Sequence, residues 1–278
     1  MSHLLKLGSD TILDHVTYLF KLISEPIYPS LFPIPLIPFI HAARLSWAYQ
    51  HLRVKAGGHL SWTADLTGYL VMAWGGSVMV SLVLYQPIAQ LVSPRPLIIY
   101  TLTHWILKLV RFRPSLATLD RLLPLPDALI RTATITAAVD AVVAHREAAY
   151  AGSLMLQLFI GAMAASGGSA LAQAVGATQP AWRWARPEWM ERPSALRALD
   201  VWSGVLIAII YGILRQTHPV YRPLAEALMG PSQALLAPAP ARGACAILLS
   251  FIYFWRAHET HKIPPKPITQ VTKVDKSE

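Results

Sequence analysis

Charged side chains are scarce. Asp, Glu, Lys and Arg make up 14% of the 278 residues, where a soluble domain carries about 25%. That shortage excludes an ordinary water-solvated globule, and a hydrophobic share of 54% with mean hydropathy +0.41 points to lipid as the solvent. Cysteine is nearly absent: the single Cys245 forms no internal disulfide, so the fold does not rest on oxidation. Acidic residues are outnumbered, 15 against 24 basic ones, for a net charge of +9. The basic residues are spread over loops between apolar runs rather than gathered in one patch, which speaks for membrane topology and against a nucleic-acid partner.

Signatures of chemistry are missing as well. There is no HExxH, no Walker-type loop and no Cys/His zinc spacing. Ser77 and Ser169 have no His/Asp partners in their sequence context, and the "HETH" at His258–His261 reads as a solvated polar stretch. The residues therefore point to no enzyme, no metal and no cofactor. No cleavable signal peptide is evident either. Asp10, Asp14 and Lys21 interrupt the first 25 residues, which read as a short amphipathic helix or ordered tail within a segment 1–27.

What is present is a series of apolar stretches, with 22 prolines and nine tryptophans, residues that membrane helices and bilayer interfaces accept. A helix rising about 1.5 Å per residue needs about 20 residues to cross a hydrocarbon core of roughly 30 Å. Seven stretches are candidates: 31–52, 62–86, 97–112, 116–144, 149–176, 198–216 and 240–257. The expected fold is all-α, a polytopic membrane protein with seven transmembrane helices within 28–257 and a polar tail over 258–278. The first span opens with Pro33, Pro35 and Pro38, so its outer turn should be irregular. With the N-terminus outside and the C-terminus inside, fourteen Lys and Arg fall on the inner side against seven on the outer, the orientation that the positive-inside rule favours.

Two of these spans carry the same interruption. "WGGSVMVSL" (74–82) and "SGGSALAQA" (166–174) place Gly-Gly-Ser inside apolar runs 92 positions apart, and Pro35 and Pro126 precede them by 40 and 41 residues. Each half reads as a proline-marked helix, a helix broken by Gly-Gly-Ser and a third helix. That gives two inverted three-helix repeats, about 31–112 and 116–216, plus a seventh helix, an architecture in which the functional path lies near the repeat interface. The glycines have two readings. They let helix backbones approach closely, or they open a bend whose carbonyls line a water-filled path. Their symmetric placement, each followed by a serine, favours the bend, with Gly75, Gly76, Ser77, Gly167, Gly168 and Ser169 as pore residues.

Charges inside spans need partners or water. Lys108, near the end of the third span, can snorkel; Asp140 can lie at the outer end of the fourth, close to His145 and Arg146. Arg131, in the run "RTATITAAVD" with Thr132, Thr134 and Thr136, gives the fourth span a face toward water or a lipid headgroup, and Arg44 of the first span is its candidate counterpart.

Over residues 28–256 the chain resembles the trimeric intracellular cation channels. The resemblance rests on Leu31, Phe32 and Pro33 at the entry to span 1, Gly76 and Ser77 in span 2, and Trp105 in a short third span. Leu123 and Pro124 before span 4 and Gly167 and Gly168 in span 5 complete it. It implies a homotrimer with one pore per subunit, bends at glycines in the second and fifth helices, and passage of potassium as counter-current for calcium release. It also implies an endoplasmic-reticulum membrane, an N-terminus in the lumen and a C-terminus in the cytoplasm. A Lys-Glu-Val-x-Arg motif in span 4 of animal members binds an inositol phospholipid, so an anionic phospholipid is the implied bound partner. Here the motif is reduced: its lysine falls on Thr132 in one register and on Arg131 in the other, and a lysine that precedes the span-5 glycines in some members is Ala165. The residues alone leave two other classes open, a secondary transporter with the same repeat and a non-conducting membrane scaffold.

Overall fold

The computed structural model describes residues 11–26, 30, 33–57, 59–110, 114–229 and 236–262, and these are all-α, with no strand among them. Eight longer helices carry the fold: α1 Ile12–Ser24, α2 Ile37–Lys55, α3 Trp62–Val83, α4 Arg95–Val110, α5 Pro124–Val143, α6 Leu154–Ala174, α7 Leu199–Arg215 and α8 Pro238–Thr260. Short helices lie between them, among them Ala89–Val92 and Leu116–Leu122.

The helix starts follow from local chemistry. Helix α2 begins only after the prolines at 33 and 35, with Pro38 in its first turn where no N–H is missed. Pro124 opens α5 in the same way, and the chain turns by 76° between Leu116–Leu122 and α5, so the stretch 116–144 is a bent pair and not one straight span. Helices α3 and α6 are long and apolar enough to cross a membrane by themselves. Two bent pairs, Leu116–Leu122 with α5 and α7 with Pro219–Ala227, raise the number to four. Length and composition therefore support two to four crossings among the described residues, fewer than the seven expected. Helix α4 has only 16 residues, and α2 carries Arg44, Arg53 and Lys55 along its length.

Helices α3 and α6 are one building unit used twice. Ser61 and Ser153, 92 positions apart, cap them by accepting the backbone N–H groups of Ala64 at 3.2 Å and Leu156 at 3.1 Å. At the other end Tyr85 (φ 51°) and Gly176 (φ 63°) stand in the left-handed region. There Gln86 N–H reaches Ser81 C=O and Ala177 N–H reaches Ala172 C=O, each at 2.8 Å, the same closing motif. Where the two helices cross, the contacts also exchange under the 92-residue shift. A Cβ on Gly75 would meet Leu171 and Gly168, and a Cβ on Gly167 would meet Met79 and Gly76.

The crossing corrects one expectation. Both helices run unbroken through Gly75–Gly76 and Gly167–Gly168, so the two glycine pairs form the close approach of two intact helices, the small-residue packing that brings backbones together. Around this crossing α3 leans on α2 and α4 through buried Tyr49, Tyr69, Met72, Ile99 and Tyr100. Helix α6 leans on α5 and α7, and the latter pack on α8 through Ile135, Ile207, Tyr211 and Leu249. Two of the buried tyrosines here find backbone acceptors: Tyr49 donates to the Ala177 carbonyl at 3.1 Å and Tyr69 to the Ala42 carbonyl at 2.9 Å.

The chain ends differ in outcome. Helix α1 is docked, burying Val16 and Phe20 against Leu129 of α5 and Ala246 of α8. At the C-terminal side α8 runs on to Thr260, so His258 belongs to a helix and not to a solvated tail, while Leu31, Phe32 and residues 263–278 lie outside the described residues.

Candidate functional site

A cavity of about 550 Å³ lies against both glycine steps. Helical spacing of three to four residues turns one face of each neighbour toward it. Helix α2 presents Ile37, His41, Arg44 and Ala48; α3 presents Met72, Gly76, Ser77 and Val80; α5 presents Asp127, Arg131, Thr134 and Ala138; α6 presents Ala164, Gly168 and Ser169. Asp200 of α7 and Tyr253 and Arg256 of α8 complete the wall. The lining of α5 runs from Asp127 to Ala141, which at 1.5 Å per residue is about 21 Å, two thirds of a hydrocarbon core.

The wall changes character along that length. At the Asp127 end it is ionic. Arg44 Nε donates to both Asp127 oxygens, at 2.8 and 3.1 Å, and its Nη2 pairs with Asp120 at 2.7 Å. Asp120 in turn faces His261 at 3.2 Å, tying the end of α8 to the short helix before α5. Arg256 Nη1 lies 3.4 Å from Asp200 and its guanidinium 4.5 Å from the Tyr253 ring. Arg131 stands 3.9 Å from the same Asp200 and donates to the Ala165 carbonyl of α6.

The middle of the cavity holds the glycines and two hydroxyls. Ser77 Oγ donates to Trp74 C=O at 2.9 Å and accepts from Gln90 Nε2 at 2.7 Å; Ser169 Oγ donates to Ser166 C=O at 2.9 Å. Each hydroxyl spends its proton on its own helix, so what it turns to the cavity is oxygen lone pairs, ligands for a cation or an N–H. Toward the far end the wall is made of small apolar groups, Ala137, Ala138 and Ala141, with Ser81 and Gln86.

The structure thus gathers Gly76, Ser77, Gly168, Ser169, Arg131 and Arg44 at one cavity, with Arg44 and Arg131 at its same ionic end. Gly75 and Gly167 serve the helix crossing and are not part of the wall. Thr132 is fully buried away from it. Lys108 does not merely snorkel: with Arg53 at 3.2 Å and His104 at 3.3 Å it surrounds the buried Asp65 carboxylate, joining α2, α3 and α4. Asp140 pairs with Arg242 at 2.9 Å and accepts from Tyr211, rather than meeting His145 or Arg146.

The sequence reading missed the aspartates. Asp127 and Asp200 sit in the first turns of their helices, where acidic residues are ordinary, Asp120 lies in the short helix before α5, and nothing local marks their partners. One signal was available: Asp127 and Arg131 are four apart, so they share a helix face. The anionic phospholipid implied by the family resemblance does not fit this wall, because every guanidinium on it already faces a carboxylate. No protein-family model, curated protein or solved structure matches this chain.

Proposed function

We propose that the chain is a monovalent cation channel of the kind it resembles, the trimeric intracellular cation channels. In this reading seven helices, α2 to α8, cross an endoplasmic-reticulum membrane as two inverted three-helix repeats plus a seventh. The N-terminus is luminal and the C-terminus cytoplasmic, and each subunit of a homotrimer passes potassium through its own pore. The current balances charge when calcium leaves the store, and no catalysis is assigned. Short or charged helices such as α4 and α2 cross because their polar groups pair inward, with Asp65, Asp120 and Asp127, rather than face lipid.

The observation that carries this reading is the cavity that follows α5 for about 21 Å and is walled by Gly76 and Ser77 on one side and Gly168 and Ser169 on the other. Oxygen dipoles along a narrow path can stand in for the hydration shell of an ion. A carrier that alternates access would use the same repeat, but would show saturable, coupled flux.

The test is current through the purified protein in a planar bilayer under a potassium chloride gradient. Discrete openings that reverse near the potassium potential support the channel. Ser77→Leu and Ser169→Leu, which put an apolar side chain where the wall offers hydroxyl oxygens, should abolish them. A silent bilayer with folded, inserted protein, or conductance that survives both substitutions at equal protein level, overturns it.

A further inference from the structure

A chamber lined by three guanidinium groups, in a chain of net charge +9, is on charge alone a place for anions. Here each of those groups is met from within the fold. Asp127 receives the Arg44 Nε–H on both oxygens, and Asp200 stands between Arg256 at 3.4 Å and Arg131 at 3.9 Å. Asp120 takes the remaining edge of Arg44 at 2.7 Å from behind the wall. Three arginines face three aspartates, and the ionic end of the cavity is neutral.

We propose that Asp127 and Asp200 decide which charge the cavity accepts: they are built-in counter-anions that exclude both mobile anions and phosphate monoesters, whether free or on a lipid headgroup. The conduction half of this inference rests on the channel reading; the binding half does not.

Both carboxylates belong to the wall, and their side chains keep 14% and 27% exposure, so an ion in the cavity meets them directly. A phosphate entering would face these carboxylates as like charges across the site, a repulsion that ends once either is made neutral. A cation gains from the lone pairs that the arginines leave open. Replacing either aspartate by asparagine keeps the shape and one acceptor oxygen, but removes the counter-charge and leaves Arg44 Nε in the one case, Arg256 and Arg131 in the other, to offer phosphate a charge-assisted hydrogen bond.

The full chain in phosphatidylcholine nanodiscs would be titrated with soluble inositol trisphosphate, and rebuilt in parallel in discs that contain phosphatidylinositol bisphosphate, with binding read by native mass spectrometry. The unmodified protein should bind neither probe. Asp200→Asn and Asp127→Asn should bind at least about tenfold more tightly, the effect of one freed charge-assisted contact. In a potassium chloride gradient their reversal potentials should shift toward that of chloride. Asp140→Asn, whose carboxylate lies outside the cavity wall and pairs with Arg242, is the control and should move neither readout.

Binding of both probes by the variants assigns access from water, and binding of the lipid alone assigns access from the leaflet; each supports the inference. Phosphate binding by the unmodified protein overturns it, as does failure of both folded variants to bind. Asp127→Asn leaves Arg44 held by Asp120, so it keeps the test open if Asp200→Asn does not fold. If no protein conducts, the channel reading fails while the binding comparison still decides this one.

Discussion

Gly75 and Gly168 meet with no side chain between them: a Cβ on Gly75 would stand 3.2 Å from the Gly168 Cα, and one on Gly167 would stand 2.8 Å from the Gly76 Cα. The crossing of α3 and α6 is therefore backbone on backbone. At Gly168 an added methyl runs into the Met72 carbonyl, which cannot swing aside. Gly168→Ala should lower unfolding stability by about 1–3 kcal/mol, the range for overpacking. Gly75→Ala should cost less, because its nearest neighbour at 3.0 Å is the movable Leu171 Cδ2. Thermal unfolding in detergent, followed by tryptophan fluorescence, checks the order. Equal stability of Gly168→Ala and the unmodified protein would mean that the backbones stand further apart.

Much of this crossing could be read from the sequence, since apolar length marks α3 and α6 and the 92-residue spacing pairs their glycines. The sense of the glycines could not. Gly-Gly serves a bend and a close approach equally well, and only the partner helix decides which. The ionic end was illegible for a similar reason: Arg44 and Asp127 are 83 residues apart, and their pairing depends on how α2 and α5 pack. The turn at Leu123 was signposted by Pro124 and Pro126, yet apolar length alone ran both sides into one span.

Tyr85 and Gly176 close their helices in the same left-handed conformation, but only glycine adopts it without a Cβ clash. Tyr85 is 79% exposed, so little packing is lost with its ring. Tyr85→Gly should stabilise the protein by about 1 kcal/mol. Gly176→Ala should destabilise it, with its Cβ also 3.2 Å from the Arg183 carbonyl. Paired unfolding curves test this, and opposite signs are the expected result.

Helix α1 carries a capping box, with Asp14 accepting from the Thr11 hydroxyl at 2.7 Å and from the Thr11 N–H at 2.8 Å. The hydroxyl bond first, and then the backbone bond, hold the Asp14 carboxyl below the ordinary value of 3.8. The stabilisation is fully present above that value and is lost as pH falls through the lowered one. Amide exchange of residues 12–24, corrected for intrinsic rates, should accelerate at the acid end of the range. Thr11→Ala should remove most of that acid dependence and raise exchange at neutral pH. Unchanged exchange in this variant would mean that docking of Val16 and Phe20 against Leu129 and Ala246, not the cap, holds the helix.

Asp65 makes the sharpest energetic case. It is buried in the first turn of α3, with Arg53 at 3.2 Å, His104 at 3.3 Å and Lys108 in contact. His104 is itself fixed by Ser46 at 2.9 Å and stacked on Tyr69 at 4.3 Å, so the carboxylate is the shared anion of a rigid cluster. Asp65→Asn leaves two cations together with no counter-charge, and removal of one partner from a buried pair costs about 3–5 kcal/mol. Lys108→Met alone leaves Asp65 still held by Arg53 and His104, and should cost less. In the double variant the repulsion between Arg53 and Lys108 is gone, so the combined loss should fall short of the sum by about 0.5–3 kcal/mol. A double-mutant cycle on unfolding free energies measures that shortfall. Strict additivity would show that Lys108 reaches water on its own and contributes nothing to holding α3 against α4.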